Sequence, residues 1–106
     1  DCVMPTRNAR NGMIFTTQGI INIKNKKWES DFSVIDPHFV NDVHGQYTKS
    51  YLRHLVRCEE MLGAMIASVC NLRFYLWMVG EARKEIQAGT FTAWKNRMIP
   101  QFMNRL

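Results

Sequence analysis

The spacing of apolar positions changes once along the chain, near Thr48. Before that point the apolar runs are short and separated by turn chemistry. Asp1-Cys2-Val3-Met4 reads as the end of an apolar strand, Pro5 stops regular pairing, and Thr6 to Gly12, with two Asn and a Gly, predicts a loop. Met13-Ile14-Phe15-Thr16 and Gly19-Ile20-Ile21-Asn22-Ile23 are β-prone and separated by Thr17-Gln18. They predict a hairpin or two neighbouring strands. From Lys24 to Gln46 the period is lost among a basic cluster (Lys24, Lys26, Lys27), turn residues and Asp36-Pro37. An irregular connection of that length calls for a function or a stabilising device.

From Thr48 onward the pattern is helical. Thr48 suits a helix N-cap, and Leu52, Leu55 and Val56 give the next turns an apolar face. Leu62, Met65, Ile66, Val69, Leu72, Leu76, Val79, Ala82 and Ile86 then keep three-and-four spacing over many turns, with Ala88-Gly89 as the stop. Thr90 is the expected cap of a last helix through Trp94 and Met98, which Pro100 kinks or ends. Gly63 and Gly80 inside the long pattern each cost up to about 1 kcal/mol against Ala, so close helix packing or a break is expected near Gly63. The predicted class is α+β, mostly helical, with its short β segments near the N-terminal end. Apolar side chains ring the long helix too completely for one buried stripe, so Met61, Met65, Phe74, Tyr75, Trp77 and Met78 predict packing against a barrel or a second subunit.

At 106 residues and 46% hydrophobic, the chain is one domain at most, with material for a modest core. Its longest apolar stretches, such as Leu72 to Val79 with Arg73 inside, fall short of the roughly 20 residues of a bilayer span, so no membrane partner is expected. No signal peptide pattern opens the chain. Fourteen Lys and Arg against nine Asp and Glu leave a charge of +5, which favours an anionic partner only mildly. Cys2, Cys58 and Cys70 are odd in number and make no CxxC pair, which implies a reduced, cytoplasmic setting.

Asp1 is the first candidate for chemistry, because open α/β sheets and (β/α) barrels place catalytic carboxylates at strand ends. An Asp that merely caps the following loop fits the same position. Arg7 and Arg10 follow closely, and guanidinium groups read planar bases and phosphates bidentately; two solvated arginines are the other reading. No base is placed beside Cys2, so a buried thiol is expected there.

DCVMPTRNARNG, then INIKN, Asp36-Pro37, YTKSYLRHL and EMLGAMIASVCNLRFY together resemble the bacterial tRNA-guanine transglycosylase (queuine tRNA-ribosyltransferase) family along essentially the whole chain. The resemblance implies the C-terminal part of a TIM (β/α)8 barrel with an inserted zinc-type subdomain. Residues 1–25 would be the end of the barrel, and residues 26–106 the subdomain and C-terminal helices. It further implies that Asp1 is the nucleophile on ribose C1′ of the wobble guanosine in GUN-anticodon tRNAs. The incoming base would be a 7-deazaguanine, 7-aminomethyl-7-deazaguanine, in queuosine biosynthesis. Thr6, Arg7, Asn8, Ala9 and Arg10 match the family's anticodon-reading loop. Lys24, Lys26, Lys27, Arg53 and Arg57 are phosphate contacts or, more simply, solvated charges. The family forms homodimers, and a piece without the earlier barrel strands and their second catalytic Asp is expected to be inactive alone.

The family also carries zinc on CxCxxC plus a later histidine, four donors that close a tetrahedral site. The matching positions here are Phe39, Asn41, His44 and Cys70. Only His44 and Cys70 can ligate well, and His38 or Asp42 would have to complete a rearranged set. The expectation is therefore no metal and no other cofactor, with packing at Phe39 replacing the ion and Cys70 a small buried residue. Two rivals remain at this stage. One is a non-catalytic basic RNA-binding or dimerisation module, which Asp1 disfavours. The other is an archaeosine-type transglycosylase, which carries a further RNA-binding domain.

Overall fold

A computed structural model describes residues 3–39 and 42–106. Five helices and one two-stranded sheet lie among them, in the order α1 (Met4–Arg10), β1 (Met13–Thr16), β2 (Gly19–Asn22), α2 (Val43–Gln46), α3 (Lys49–Arg57), α4 (Met61–Ala88) and α5 (Phe91–Phe102). Single 3-10 turns at Lys26–Trp28 and Pro37–Phe39 punctuate the long connection. The mostly helical α+β expectation holds for these residues; the barrel does not appear within them and follows only from kinship.

The hairpin is antiparallel, with Thr16 opposite Gly19 and Met13 opposite Asn22. The Thr16 hydroxyl closes its turn, donating to the Gly19 carbonyl at 2.7 Å and accepting from the Gly19 amide at 3.1 Å. Ile14 and Ile21 point into the core with Ile23, all at most 1% exposed. The free edge of β2 is covered by the far end of the chain. Ile20 N–H donates to the Asn104 carbonyl at 2.8 Å, and Leu106 N–H donates to the Ile20 carbonyl at 2.9 Å. Gln101 Nε2 adds a bond to the Thr17 carbonyl at 2.6 Å. Gly19 makes this closure possible: its φ is +147°, and a Cβ there would fall inside the van der Waals radius of the Asn104 carbonyl oxygen. Gly19→Ala is expected to cost about 2–4 kcal/mol, read from the urea midpoint at unchanged slope.

Two expectations for the first residues fail. Val3 is in a helical turn rather than a strand, and residues 4–10 form α1 instead of a loop. Pro5 sits in the first turn, where its missing N–H costs nothing, and Gly12 at φ +87° takes the chain away after Asn11. The later signals hold. Thr48 Oγ1 accepts from the Tyr51 amide at 3.1 Å, and Gly89 ends α4 in the left-handed region at φ +76°. Gly63 packs its bare Cα against Leu55 and Val56 of α3, while Gly80 meets nothing. Thr90 stands before α5 but turns its hydroxyl back to Glu85, and Pro100 lies within the last turn without ending the helix.

With 28 residues, α4 is long and apolar enough by length and composition alone to cross a bilayer, contrary to the sequence expectation. One side of it, however, is built into the core through Gly63, Ile66, Ala67, Cys70, Asn71 and Phe74, with α1, β1 and α3 packed over that side. The opposite side leaves Met65, Val69, Leu72, Leu76 and Val79 between 44% and 71% exposed. Their spacing of 4, 3, 4 and 3 residues is that of a coiled-coil seam. Described residues border it only at the sides, with Arg10 and Tyr47 near Met65 and Val69 and α5 near Val79.

Candidate nucleic-acid interface

Asp1, Cys2, Val40 and Asn41 lie outside the described residues, and the candidate interface rests on α1. Within α1, Pro5 and Ala9 face inward, Thr6 and Asn8 are half-buried, and Arg7 and Arg10 are exposed. Three residues apart on a helix, the two guanidiniums share one face and point outward together. Neither joins an ion pair among the described residues. The Thr6 hydroxyl donates to the Val3 carbonyl at 3.2 Å, so it serves the first helical turn.

What fixes α1 is a residue that sequence reasoning passed over. Asn71, fully buried in the middle of α4, accepts from the Phe15 amide at 2.9 Å through Oδ1. Its Nδ2 donates to the Pro5 carbonyl at 3.0 Å and to the Met13 carbonyl at 2.9 Å. One amide side chain thus ties the start of α1 and one edge of β1 to the central helix. A polar residue in the middle of an otherwise apolar helical stripe was the available signal, since a buried amide needs partners. Met4 and Phe15 meet Tyr75 on the same flank, the Phe15 and Tyr75 rings stacking at 5.5 Å. Burial raises the Tyr75 pKa above its ordinary value.

The other cations divide into two kinds. The aliphatic stem of Lys24 lies against Gly12, which brings it beside the end of α1. Arg53 donates through Nε to the Asn25 carbonyl at 3.1 Å, fastening α3 to the connection. Lys27 and Lys49 stand over the Trp28 ring at 4.8 and 5.5 Å. Arg57 lines a cleft of about 590 Å³ with Arg53, His54, Tyr51 and Phe32. These side chains therefore have structural work as well as charge, and the structure does not bring Arg57 to α1.

Of the four positions matching a zinc set, Phe39, His44 and Cys70 are among the described residues. His44 is fully buried, with the Phe39 ring 4.6 Å from its own. The Cys70 main chain approaches His44 without reaching hydrogen-bond geometry. Burial holds the His44 pKa below its usual value, against the upward pull of the Asp36 carboxylate. Burial also pushes the Cys70 thiol up to about 12, with Asp36 adding to the shift. Asp36 itself is occupied, accepting from Thr17 N, Thr17 Oγ1 and His38 N at 2.8, 3.0 and 3.0 Å. Asp42 pairs with Arg73 Nε at 3.1 Å. Among the described residues, no three His, Cys, Asp or Glu side chains converge closely enough to hold an ion. The residues present do not fit the zinc site that the resemblance implies.

A family model described as queuine tRNA-ribosyltransferase matches residues 1–104. Proteins bearing that name are similar to the chain throughout. The relative from Aquifex aeolicus is 42% identical over all 106 residues, and the match covers 28% of that protein. The relative from Treponema denticola is 45% identical over 106 residues, again 28% of its length. The relative from Vibrio campbellii is 48% identical over 105 residues, 99% of this chain and 27% of that one. The chain spans little more than a quarter of the curated relatives it matches.

Proposed function

The chain belongs to the queuine tRNA-ribosyltransferase family, and from that premise we propose that it supplies the nucleophile and an anticodon-reading arm to a tRNA-guanine transglycosylase. The observation that carries the proposal is α1 itself. Arg7 and Arg10 stand exposed on one face, on a short helix that Asn71 clamps to the core and that begins three residues after Asp1. Base reading demands such fixity, because bidentate guanidinium contacts lose most of their selectivity when the donor is free to wander.

In this reaction the Asp1 carboxylate attacks C1′ of the wobble guanosine. The bond from C1′ to guanine N9 breaks, and guanine leaves with its electron pair and takes up a proton from an acid outside these residues. The product is a ribosyl ester on Asp1. A 7-aminomethyl-7-deazaguanine base then attacks C1′, gives up its N9 proton, and frees the carboxylate. Two inversions leave the sugar configuration unchanged, as in retaining glycosidases. Arg7 and Arg10 hold the unstacked anticodon bases, and Lys24 extends the positive surface toward phosphate. The 106 residues act within a longer polypeptide, a cytoplasmic homodimer, and are inactive by themselves. There the exposed seam of α4 meets the rest of the barrel or the second subunit.

The direct test incubates the full-length protein with GUN-anticodon tRNA and labelled guanine. Exchange of label, with a protein–tRNA adduct that survives denaturation, is the expected result. Binding of tRNA with neither exchange nor adduct would favour a basic RNA-binding module instead. Arg7→Ala and Arg10→Ala are each expected to raise KM for tRNA about tenfold or more, at unchanged melting temperature, because both side chains project from a helix whose anchoring lies elsewhere.

A further inference from the structure

We infer that Phe39, His38, His44, Trp77 and Arg73 form a metal-independent aromatic lock, which holds the Pro37–Phe39 turn and α2 onto α4 where the family resemblance implies a zinc ion. Phe39 is 4% exposed and lies at the centre of the group. Its ring is 4.6 Å from His44, 4.9 Å from His38 edge-on, and 5.9 Å from Trp77 edge-on. His38 closes the ring of contacts by meeting Trp77 at 5.0 Å. Every one of these separations falls within the range at which aromatic pairs add stability beyond burial alone.

The lock also has a polar latch. The Arg73 guanidinium sits 5.2 Å from the Phe39 ring and reaches Asp42 at 3.1 Å, so a single α4 side chain grips both ends of the connection between the Pro37–Phe39 turn and α2. Beyond it, Trp77 continues into Phe74 and Phe102 at 5.9 Å each, linking the group to α5. These contacts do the mechanical work expected of a structural ion: a loop of low regularity is tied to a long helix at several points. Phe39 supplies no donor atom and occupies the place a ligand would need. A guanidinium over the same ring adds positive charge where a dication would have to enter.

Zinc independence and the lock are tested separately from catalysis. The full-length protein, purified without chelator from zinc-replete cells, is expected to hold less than about a tenth of an equivalent of zinc, and 1,10-phenanthroline should leave its melting temperature within about 2 °C. Stoichiometric zinc, or a larger fall on chelation, would overturn the inference even if guanine exchange were fully active. Phe39→Ala is expected to speed limited proteolysis within residues 37–46 at least tenfold. If that variant does not fold, the milder Trp77→Leu is expected to speed it by about threefold or more. Wild-type cleavage rates in whichever variant folds would refute the lock. Loss of exchange with these outcomes intact would bear on the proposed function alone.

Discussion

Asp1→Asn in the full-length protein is expected to abolish both guanine exchange and the denaturation-resistant tRNA adduct. An amide is nearly isosteric with the carboxylate but carries no negative charge to attack C1′, and any ester-like adduct would require an amide nitrogen to do the work of an oxygen anion. Loss of a covalent nucleophile in other group-transfer enzymes lowers kcat by about four to six orders of magnitude. A fall of that order, with tRNA affinity within a few-fold of wild type, is the predicted pattern. Filter binding at matched salt measures the affinity, because the proposed base contacts of Arg7 and Arg10 and the phosphate contact of Lys24 do not depend on the nucleophile. Exchange at more than about 1% of the wild-type rate would remove Asp1 from its proposed role.

Asn71 offers the largest expected effect on stability. In Asn71→Leu the side chain keeps its branch and its number of heavy atoms, yet the Phe15 amide and the Pro5 and Met13 carbonyls lose their partner in a fully buried place. Each such group costs about 1–3 kcal/mol when left unpaired, so a total of about 3–5 kcal/mol is expected after partial relaxation. For a chain of this size that corresponds to a melting temperature lower by roughly 12 °C or more. Asn71→Asp separates shape from hydrogen bonding. It can still accept from Phe15, but it turns an oxygen toward the two carbonyls that had received donors. It should be at least as damaging as leucine when scanned at neutral pH. A thermal scan showing either variant within about 3 °C of wild type would mean that the clamp carries little energy.

Much of the molecule was legible where local chemistry and packing agree. Thr48, Gly89 and the Thr17-Gln18 turn each declare a boundary through a mechanism confined to a few residues. That turn allows a hairpin or two neighbouring strands, of which the structure forms the hairpin, and the long apolar period gives α4. Residues 4–10 were misread because Asn8, Asn11 and Gly12 weigh toward a loop when counted as composition. Pro5 near the start and Gly12 just past the end carried the contrary signal of position. Arg7 and Arg10 are expected on a loop from the sequence, whereas the helix gives them a common face. Asn71 escaped notice because its partners are 56 to 66 residues away in sequence, at Phe15, Pro5 and Met13. Phe39 was legible as a non-ligand, but its company with Trp77 and Arg73 emerges only when the connection folds back over α4. Helical spacing likewise showed how apolar α4 is, and could not say which side would remain bare.

The closure of the hairpin edge by residues 104–106 sets an order of events during synthesis. The hairpin is synthesised before residues 104–106, so the amide of Ile20 waits for Asn104 and its carbonyl waits for Leu106. Until those last residues emerge, β2 presents an unpaired strand edge to every other nascent chain nearby, the kind of surface that recruits strangers. The clasp is thus a checkpoint in time as much as a contact in space. A pause in translation that holds Asn104 inside the ribosome should prolong chaperone association and raise aggregation, whereas a pause after Leu106 has emerged should do neither.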